Sequence, residues 1–279
     1  MNAIPQKIRH IHLIAVCGTG MGSLAGLLKT KGFEITGSDQ NIYPPMSTEL
    51  AQLGIHLMSG YSADHLKKKP DLVIVGNAVS KTNPEVEAML RLKLPHASMP
   101  QALSHFFMQK NRSIVVAGTH GKTTTSAIIS HLLLEMDSDP SFLVGGVLQN
   151  AQKNYRAGLG PYFVVEGDEY DTAFFDKGPK FLHYKPCFTI VTSLEFDHAD
   201  IYRDLDHLTE SFIRLLEINN PKGFVLACGH YPRLTQIMTK CKSPVDTYGL
   251  SPPPPTPSLE GRGMGEGESP SNRDNRYYN

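Results

Sequence analysis

The sequence has 279 residues, more than the ~100–200 residues of an average domain, so we expect about two domains. Hydrophobic residues make up 40% of it, and no run reaches the roughly 18–20 consecutive apolar residues that a membrane-spanning helix needs. Lys and Arg together number 27, as do Asp and Glu, so the formal net charge is zero and gives no overall attraction for nucleic acid.

The first ten residues are polar, with scattered charge and no apolar signal core. The four cysteines form no CxxC pair, which is typical of reduced thiols in a cytosolic protein. We therefore expect a cytoplasmic protein with neither a membrane nor a nucleic acid as its partner.

Short apolar runs alternate with helical stretches in the first part of the chain. The predicted elements are strands at 10–17, 33–38 and 71–75, and helices at 23–31, from Pro84 onwards and at 100–110. Proline is favoured at the first position of a helix, which places the start at Pro84. Alternating strands and helices form parallel sheets covered by helices, so residues 1–108 are predicted to be a Rossmann-like α/β domain.

A second α/β domain is predicted over residues 109–250. Its elements are strands at 113–117, 162–166, 188–192 and 224–228, and helices at 122–135, 205–217 and 231–239. After Leu250 the composition changes abruptly to proline, glycine and polar residues, which cannot bury enough apolar surface to fold. Residues 251–279 are therefore predicted to be a disordered tail.

The segment AGTHGKTTT, residues 117–125, follows a predicted strand and opens a predicted helix, as a phosphate loop does. Gly118 and Gly121 would let the backbone bend close to an anion, and the amides at the helix start would point at phosphates. Lys122 would reach the β- and γ-phosphates, and the Thr123 hydroxyl would bind magnesium. An ordinary glycine turn with an exposed lysine is the alternative, and GKTTT in this context argues against it. The predicted ATP-binding residues are Gly118, Thr119, His120, Gly121, Lys122, Thr123 and Thr124.

Carboxylates and a histidine follow two further predicted strands. Glu166 ends one strand within EGDEYD, and His198 follows another within LEFDHAD. Ligands of open α/β sheets gather at the carboxyl ends of the strands, so Thr123, a carboxylate and an imidazole are predicted to meet at one site. Glu166 or His198 taken alone would more often be a solvated loop residue, but the joint pattern favours a site for magnesium and a nucleotide.

GTHGKTTT, EGDEYD and LEFDHAD in this order resemble the Mur ligases of peptidoglycan assembly. HLIAVCGTGMGSLA near the start, and GSD at 37–39, are similar to the branch of that family that binds UDP-N-acetylmuramate. Similarity runs from about Ile8 to Leu250. NIYPPMST, GNAVSKTNPEVEA, DEYDTAFFDKGPKF and EFDHADIY resemble the ligases that attach L-alanyl-γ-D-glutamyl-meso-diaminopimelate in murein recycling more than those that attach L-alanine.

The resemblance implies an ATP- and magnesium-dependent ligase that joins UDP-N-acetylmuramate to this tripeptide through an acyl phosphate. By position, the predicted catalytic residues are Lys122, which would stabilise the transferring phosphoryl group, and the metal ligands Glu166 and His198. Thr123 and Glu166 would hold one magnesium ion, and His198 would bind a second that bridges to the substrate carboxylate. Imidazole is an unusual ligand for magnesium, so the assignment of His198 rests on the resemblance.

The turn GTGMGS, residues 18–23, has two readings. It is close to a dinucleotide-binding turn, although Ser23 stands where that motif has a third glycine, and Asp39 follows at the distance of a ribose-binding carboxylate. Taken alone, the turn would allow NAD and an oxidoreductase. The phosphate loop in the next domain favours the reading in which the turn cradles the diphosphate of a UDP-sugar. The predicted UDP-sugar-binding residues are Gly18, Thr19, Gly20, Met21, Gly22, Ser38, Asp39, Asn77 and Ser80.

Mur ligases carry a third domain that binds the incoming amino acid or peptide. The similarity ends near Leu250, so we expect that domain to be missing and the chain to bind its nucleotides without ligating the tripeptide alone. Two alternatives to the tripeptide ligase stay open: a ligase that attaches L-alanine, and a non-catalytic fragment that binds nucleotides and UDP-sugars.

Overall fold

The computed structural model describes residues 4–148, 151, 153–197 and 201–250. His198 and the predicted tail at 251–279 lie outside the described residues. The strands are β1 (His10–Ile14), β2 (Glu34–Asp39), β3 (His56–Ser59), β4 (Leu72–Val75), β5 (His96–Ser98), β6 (Arg112–Ala117), β7 (Ser141–Leu148), β8 (Lys153–Arg156), β9 (Tyr162–Gly167), β10 (Asp171–Ala173), β11 (Asp176–Pro179), β12 (Phe188–Val191), β13 (Phe224–Cys228) and β14 (Val245–Tyr248). The α-helices are α1 (Thr19–Thr30), α2 (Met46–Gln52), α3 (Pro84–Arg91), α4 (Met99–Leu103), α5 (Lys122–Glu135), α6 (Leu205–Ile218) and α7 (Pro232–Ile237). None of the helices in these ranges is long and apolar enough to span a membrane.

The first sheet contains five parallel strands in the order β3-β2-β1-β4-β5. This is the strand order of a Rossmann-like fold, as predicted. All four residues of β4 are buried, because apolar side chains alternate onto two covered faces. The order reverses between β1 and β4, so a crevice forms beyond their carboxyl ends, where ligands of such sheets bind.

The second sheet has the order β14-β13-β12-β6-β9-β7-β8. Its neighbouring strands are parallel except for β8, which runs antiparallel to β7 at one edge. β6 lies between β12 and β9, so the carboxyl ends of these three strands lie side by side. The phosphate loop, Glu166 and the segment after β12 are therefore close together. The predicted α/β fold with parallel sheets is confirmed.

Helix α1 of the first sheet packs against the β7–β8 hairpin of the second. The Ser23 hydroxyl donates a hydrogen bond of 3.0 Å to the amide oxygen of Asn154. Gly26 faces Tyr155 so closely that a Cβ atom at position 26 would lie 2.2 Å from the Tyr155 hydroxyl. One apolar core contains residues of both sheets, so the chain through Gly249 forms a single compact unit.

Substitution of Gly26 by alanine should destabilise this contact. The added methyl group must displace the Tyr155 ring, and overpacking of this kind costs about 1–3 kcal/mol of unfolding free energy. Urea denaturation measures the loss. Combining Gly26→Ala with Tyr155→Leu should cost less than the sum of the two single changes, since the shorter side chain makes room. Strictly additive losses of unfolding free energy would show that the two positions are not in steric contact.

Several elements differ from the sequence prediction for identifiable reasons. β7 is not predicted from the sequence, because SFLVGGVL contains two glycines, which are depleted in strands. The helix predicted over 100–110 is divided into α4 and a π-helical turn at Ser104–Met108. Helix α1 begins at Thr19 rather than at residue 23, because the glycines of the predicted turn continue into the helix. The other missed elements are β3, β5, β8, β10, β11, β14 and α2.

Candidate functional site

The phosphate loop has the strand–loop–helix geometry that its sequence predicts. β6 ends at Ala117, and α5 begins at Lys122 after Gly121, whose φ of 80° is in the left-handed region. Gly118 has a φ of 134°, and a Cβ atom there would lie 2.2 Å from the Thr192 hydroxyl oxygen. The backbone conformation therefore favours glycine at both positions, and the close approach of Thr192 also requires it at Gly118.

The loop is fastened to the segment that follows β12. The Thr119 hydroxyl donates to the Glu195 carbonyl and accepts from the Glu195 amide, both at 3.0 Å. The His120 amide donates to the Ser193 hydroxyl at 2.8 Å, while the His120 side chain is exposed. Thr119 is buried, and its two hydrogen bonds to Glu195 fix the conformation of the loop.

Lys122 is held across the loop by a carboxylate to which the sequence reasoning gave no role. Its Nζ donates to the Gly118 carbonyl at 2.7 Å and to Glu169 Oε1 at 3.1 Å, and lies 2.9 Å from Glu169 Oε2. Glu169 is 1% exposed; its burial raises the pKa of the carboxyl, and the Lys122 ammonium opposes that rise. The lysine is thus positioned beside the loop, where an incoming phosphate could accept from it.

Thr123 and Glu166 meet as predicted. The Thr123 hydroxyl donates to Glu166 Oε2 at 3.0 Å, and the Ser126 hydroxyl donates to Oε1 at 3.4 Å. The Gly145 amide also donates to Oε1. A hydroxyl and a carboxylate suit magnesium, which prefers oxygen ligands and completes its shell with water and phosphate. No cluster of three or more His, Cys, Asp or Glu side chains able to hold a metal ion occurs within the described part of the chain, which does not include His198. Thr124 is exposed in the first turn of α5.

A cleft of about 330 Å³ opens at the crevice between β1 and β4. Gly18 and Met21 of the glycine turn line it, together with Asp39 and Asn77. Asp39 accepts from the Cys17 amide at 2.8 Å through Oδ2 and from the Asn41 amide at 2.9 Å through Oδ1. Asp39 therefore fixes the loops around the cleft as well as lining it.

Three predicted UDP-sugar residues have other surroundings. Ser38 is fully buried and its hydroxyl donates to Glu85, so it contacts the core beneath the cleft. Gly22 lies within α1, where a Cβ atom would come 2.3 Å from the Met46 sulfur, so a larger residue would displace that side chain. Ser80 is exposed and its hydroxyl lies 3.0 Å from that of Thr82.

A second cleft, of about 230 Å³, joins the two sheets. Thr19 and Gly20 line it from the first sheet, and Glu166, Asp168 and Lys180 line it from the second. The glycine turn and Glu166, which accepts from the Thr123 hydroxyl, therefore line one cavity.

Comparison with known proteins matches both halves of the chain to one family. The model described as "Mur ligase family, catalytic domain" matches residues 10–111, and the "Mur ligase middle domain" model matches residues 116–255. A UDP-N-acetylmuramate–L-alanyl-γ-D-glutamyl-meso-2,6-diaminoheptandioate ligase of Escherichia coli is 47% identical over 216 residues, which are 77% of this chain and 47% of the relative. A UDP-N-acetylmuramate–L-alanine ligase of Syntrophomonas wolfei is 34% identical over 78% of this chain and 45% of its own length.

A solved ligase from Neisseria meningitidis, also described as acting on UDP-N-acetylmuramate and the tripeptide, superposes with a TM-score of 0.83. It is 40% identical and covers 88% of this chain and 79% of its own. The chain spans about half the length of the curated relatives that it matches. Two family models in succession and a solved relative at 40% identity show that this chain belongs to the Mur ligase family.

Proposed function

We propose that the chain supplies the nucleotide and sugar sites of an ATP-dependent ligase that joins UDP-N-acetylmuramate to L-alanyl-γ-D-glutamyl-meso-diaminopimelate. The observation that carries the proposal is the second cleft, because Thr19 and Gly20 of the glycine turn line it together with Glu166, the hydrogen-bond partner of Thr123. The tripeptide is favoured over L-alanine because the Escherichia coli relative named for it is 47% identical, against 33–37% for relatives named L-alanine ligases. Both proposed donor substrates are cytoplasmic nucleotides, so we place the reaction in the cytoplasm.

In the proposed site, ATP binds with its phosphates at the loop from Gly118 to Thr124. The amides at the start of α5 and the Lys122 ammonium donate to the phosphate oxygens, and Lys122 stabilises charge on the γ-phosphoryl group as it transfers. Thr123 and Glu166 would hold magnesium, which neutralises phosphate charge when bound. His198, the proposed ligand of a second ion, remains a proposal from the resemblance.

The sugar nucleotide would bind with its diphosphate at the glycine turn from Gly18 to Gly22, and Asp39 and Asn77 would face its uridine and sugar-phosphate parts. The lactyl carboxylate oxygen attacks the γ-phosphorus, the bond to the β-phosphate oxygen breaks, and ADP leaves. The peptide amine then attacks the acyl carbon, loses a proton and displaces phosphate. Positioning and neutralisation of charge supply most of the catalysis in such transfers.

Calorimetric titration distinguishes this function from an NAD oxidoreductase. The chain should bind UDP-N-acetylmuramate and magnesium-ATP, and NAD should give no saturable heat. Binding of NAD in place of the UDP-sugar would overturn the assignment of the glycine turn. Mass spectrometry of mixtures with ATP and magnesium tests the acceptor. The chain alone should give no multiple-turnover product with the tripeptide, and product with L-alanine would support the alternative ligase.

A further inference from the structure

The cavity between the two sheets, here called the junction cleft, is the one of about 230 Å³ lined by Thr19, Gly20, Glu166, Asp168 and Lys180. Thr19 and Gly20 start α1 in the proposed diphosphate turn, and Glu166 is the proposed magnesium ligand. A sugar nucleotide bound at the turn, with its reacting carboxylate at the phosphate loop, must place the sugar and its acid group in this cleft.

The side chains that line the junction cleft include two carboxylates. Glu166 is the proposed magnesium ligand, whereas the Asp168 carboxylate would repel an incoming carboxylate. Among the described residues that line the cleft, Lys180 is the one cation. Its Nζ lies 2.8 Å from Asp168 Oδ2, and its side chain is 19% exposed, so the ammonium is partly desolvated but reachable.

The position of Lys180 is fixed by the fold. Its amide donates to the Asp168 carbonyl at 3.0 Å, and it begins a 3-10 turn at Lys180–His183 directly after β11. Tyr184 closes the same cleft; burial, followed by the nearby carboxylates of Asp168 and Glu166, raises the pKa of its phenol. The Tyr184 hydroxyl therefore stays protonated and neutral, and Lys180 supplies the positive charge.

We propose that Lys180 binds the lactyl carboxylate of the sugar substrate and thereby selects UDP-N-acetylmuramate over UDP-sugars without that acid. The inference rests on the proposed function and adds a specificity-determining residue to it. Without substrate, Lys180 pairs with Asp168; with substrate, the ammonium donates to the lactyl carboxylate. An ammonium at this point also offsets the repulsion between that carboxylate and the acidic side chains of the cleft.

The test compares two sugar nucleotides on each variant by calorimetry. UDP-N-acetylglucosamine has the same nucleotide and amino sugar as UDP-N-acetylmuramate but lacks the lactyl group. Lys180→Gln should weaken binding of UDP-N-acetylmuramate by about tenfold or more, the usual effect of losing a charge-assisted hydrogen bond. The affinity for UDP-N-acetylglucosamine should stay the same, which also shows that the variant is folded.

Two further variants control for charge and for the hairpin. Lys180→Arg keeps the positive charge and should retain most of the discrimination between the sugars. Lys177→Gln removes a lysine of the same β10–β11 hairpin, whose Nζ lies 2.8 Å from Asp171 Oδ2 and whose side chain is 69% exposed. It should leave both affinities unchanged.

The results separate this inference from the proposed function. If Lys180→Gln leaves the preference for UDP-N-acetylmuramate intact, or weakens the binding of both sugar nucleotides equally, Lys180 does not bind the lactyl carboxylate, while the UDP-sugar site stands. If the unmodified chain binds neither sugar, the proposed function itself fails, and the role of Lys180 fails with it.

Discussion

Replacing Lys122 by alanine should lower the affinity for magnesium-ATP by about ten- to a hundredfold. Lys122 is the lysine of the phosphate loop, and its Nζ already lies at the loop, 2.7 Å from the Gly118 carbonyl. A charge-assisted hydrogen bond is worth ~1.5–3 kcal/mol, which corresponds to this loss. Calorimetric titration with magnesium-ATP measures it. Lys222→Ala, at an exposed turn before β13, is the matched control and should bind as the unmodified chain does.

The pH dependence of stability should distinguish the loss of the Lys122 charge from a distortion of the phosphate loop. Without Lys122, the buried Glu169 carboxylate loses the ammonium that favours its ionised form, so the pKa of Glu169 should rise further above its usual value. Between the unfolded and folded pKa values, the native state holds a proton that the unfolded chain has released, so stability falls as pH rises. Lys122→Met should therefore lose more stability from acid to mildly alkaline pH than the unmodified chain.

Thermal melts across that pH range check this expectation. Parallel profiles of melting temperature against pH for the two proteins would show that the pKa of Glu169 does not depend on Lys122. Unchanged ATP affinity in a folded Lys122 variant would contradict the assignment of the phosphate loop.

Replacing Glu166 by glutamine should raise the magnesium concentration needed for nucleotide binding by about tenfold or more. Glu166 accepts from the Thr123 hydroxyl at the open edge of the sheet, so its charge is available to a metal ion beside the phosphates. Glutamine keeps the size and an accepting oxygen but removes the charge. Magnesium titrations of ATP binding measure the change.

Glu169→Gln is the matched control from the same EGDEYD segment. Glu169 is buried against Lys122. Removing its charge should therefore affect the placement of the Lys122 ammonium more than the magnesium concentration needed for nucleotide binding. Equal shifts in the magnesium titration, or a larger one for Glu169→Gln, would mean that Glu169 rather than Glu166 is the metal-binding carboxylate.

Features that depend on neighbouring residues can be predicted from the sequence alone. The phosphate loop is of this kind, because Gly118 and Gly121 allow backbone angles that consecutive residues set, and Lys122 then begins the helix. Proline at the first helical position placed the start of α3 at Pro84 in the same way. The meeting of Thr123 with Glu166 followed from one general rule, that the strand ends of a parallel sheet share an edge.

Contacts between residues far apart in the chain follow from the folded structure and not from any local pattern. Lys122 and Glu169 are 47 positions apart, and nothing local to either residue predicts that one buries its charge against the other. Ser38 and Asp39 are adjacent in sequence, yet Ser38 contacts the core and Asp39 lines the cleft, because successive side chains of a strand point to opposite faces. Helix α1 packs on the second sheet where Gly26 leaves room for the ring of Tyr155, a contact made by shape rather than by any motif.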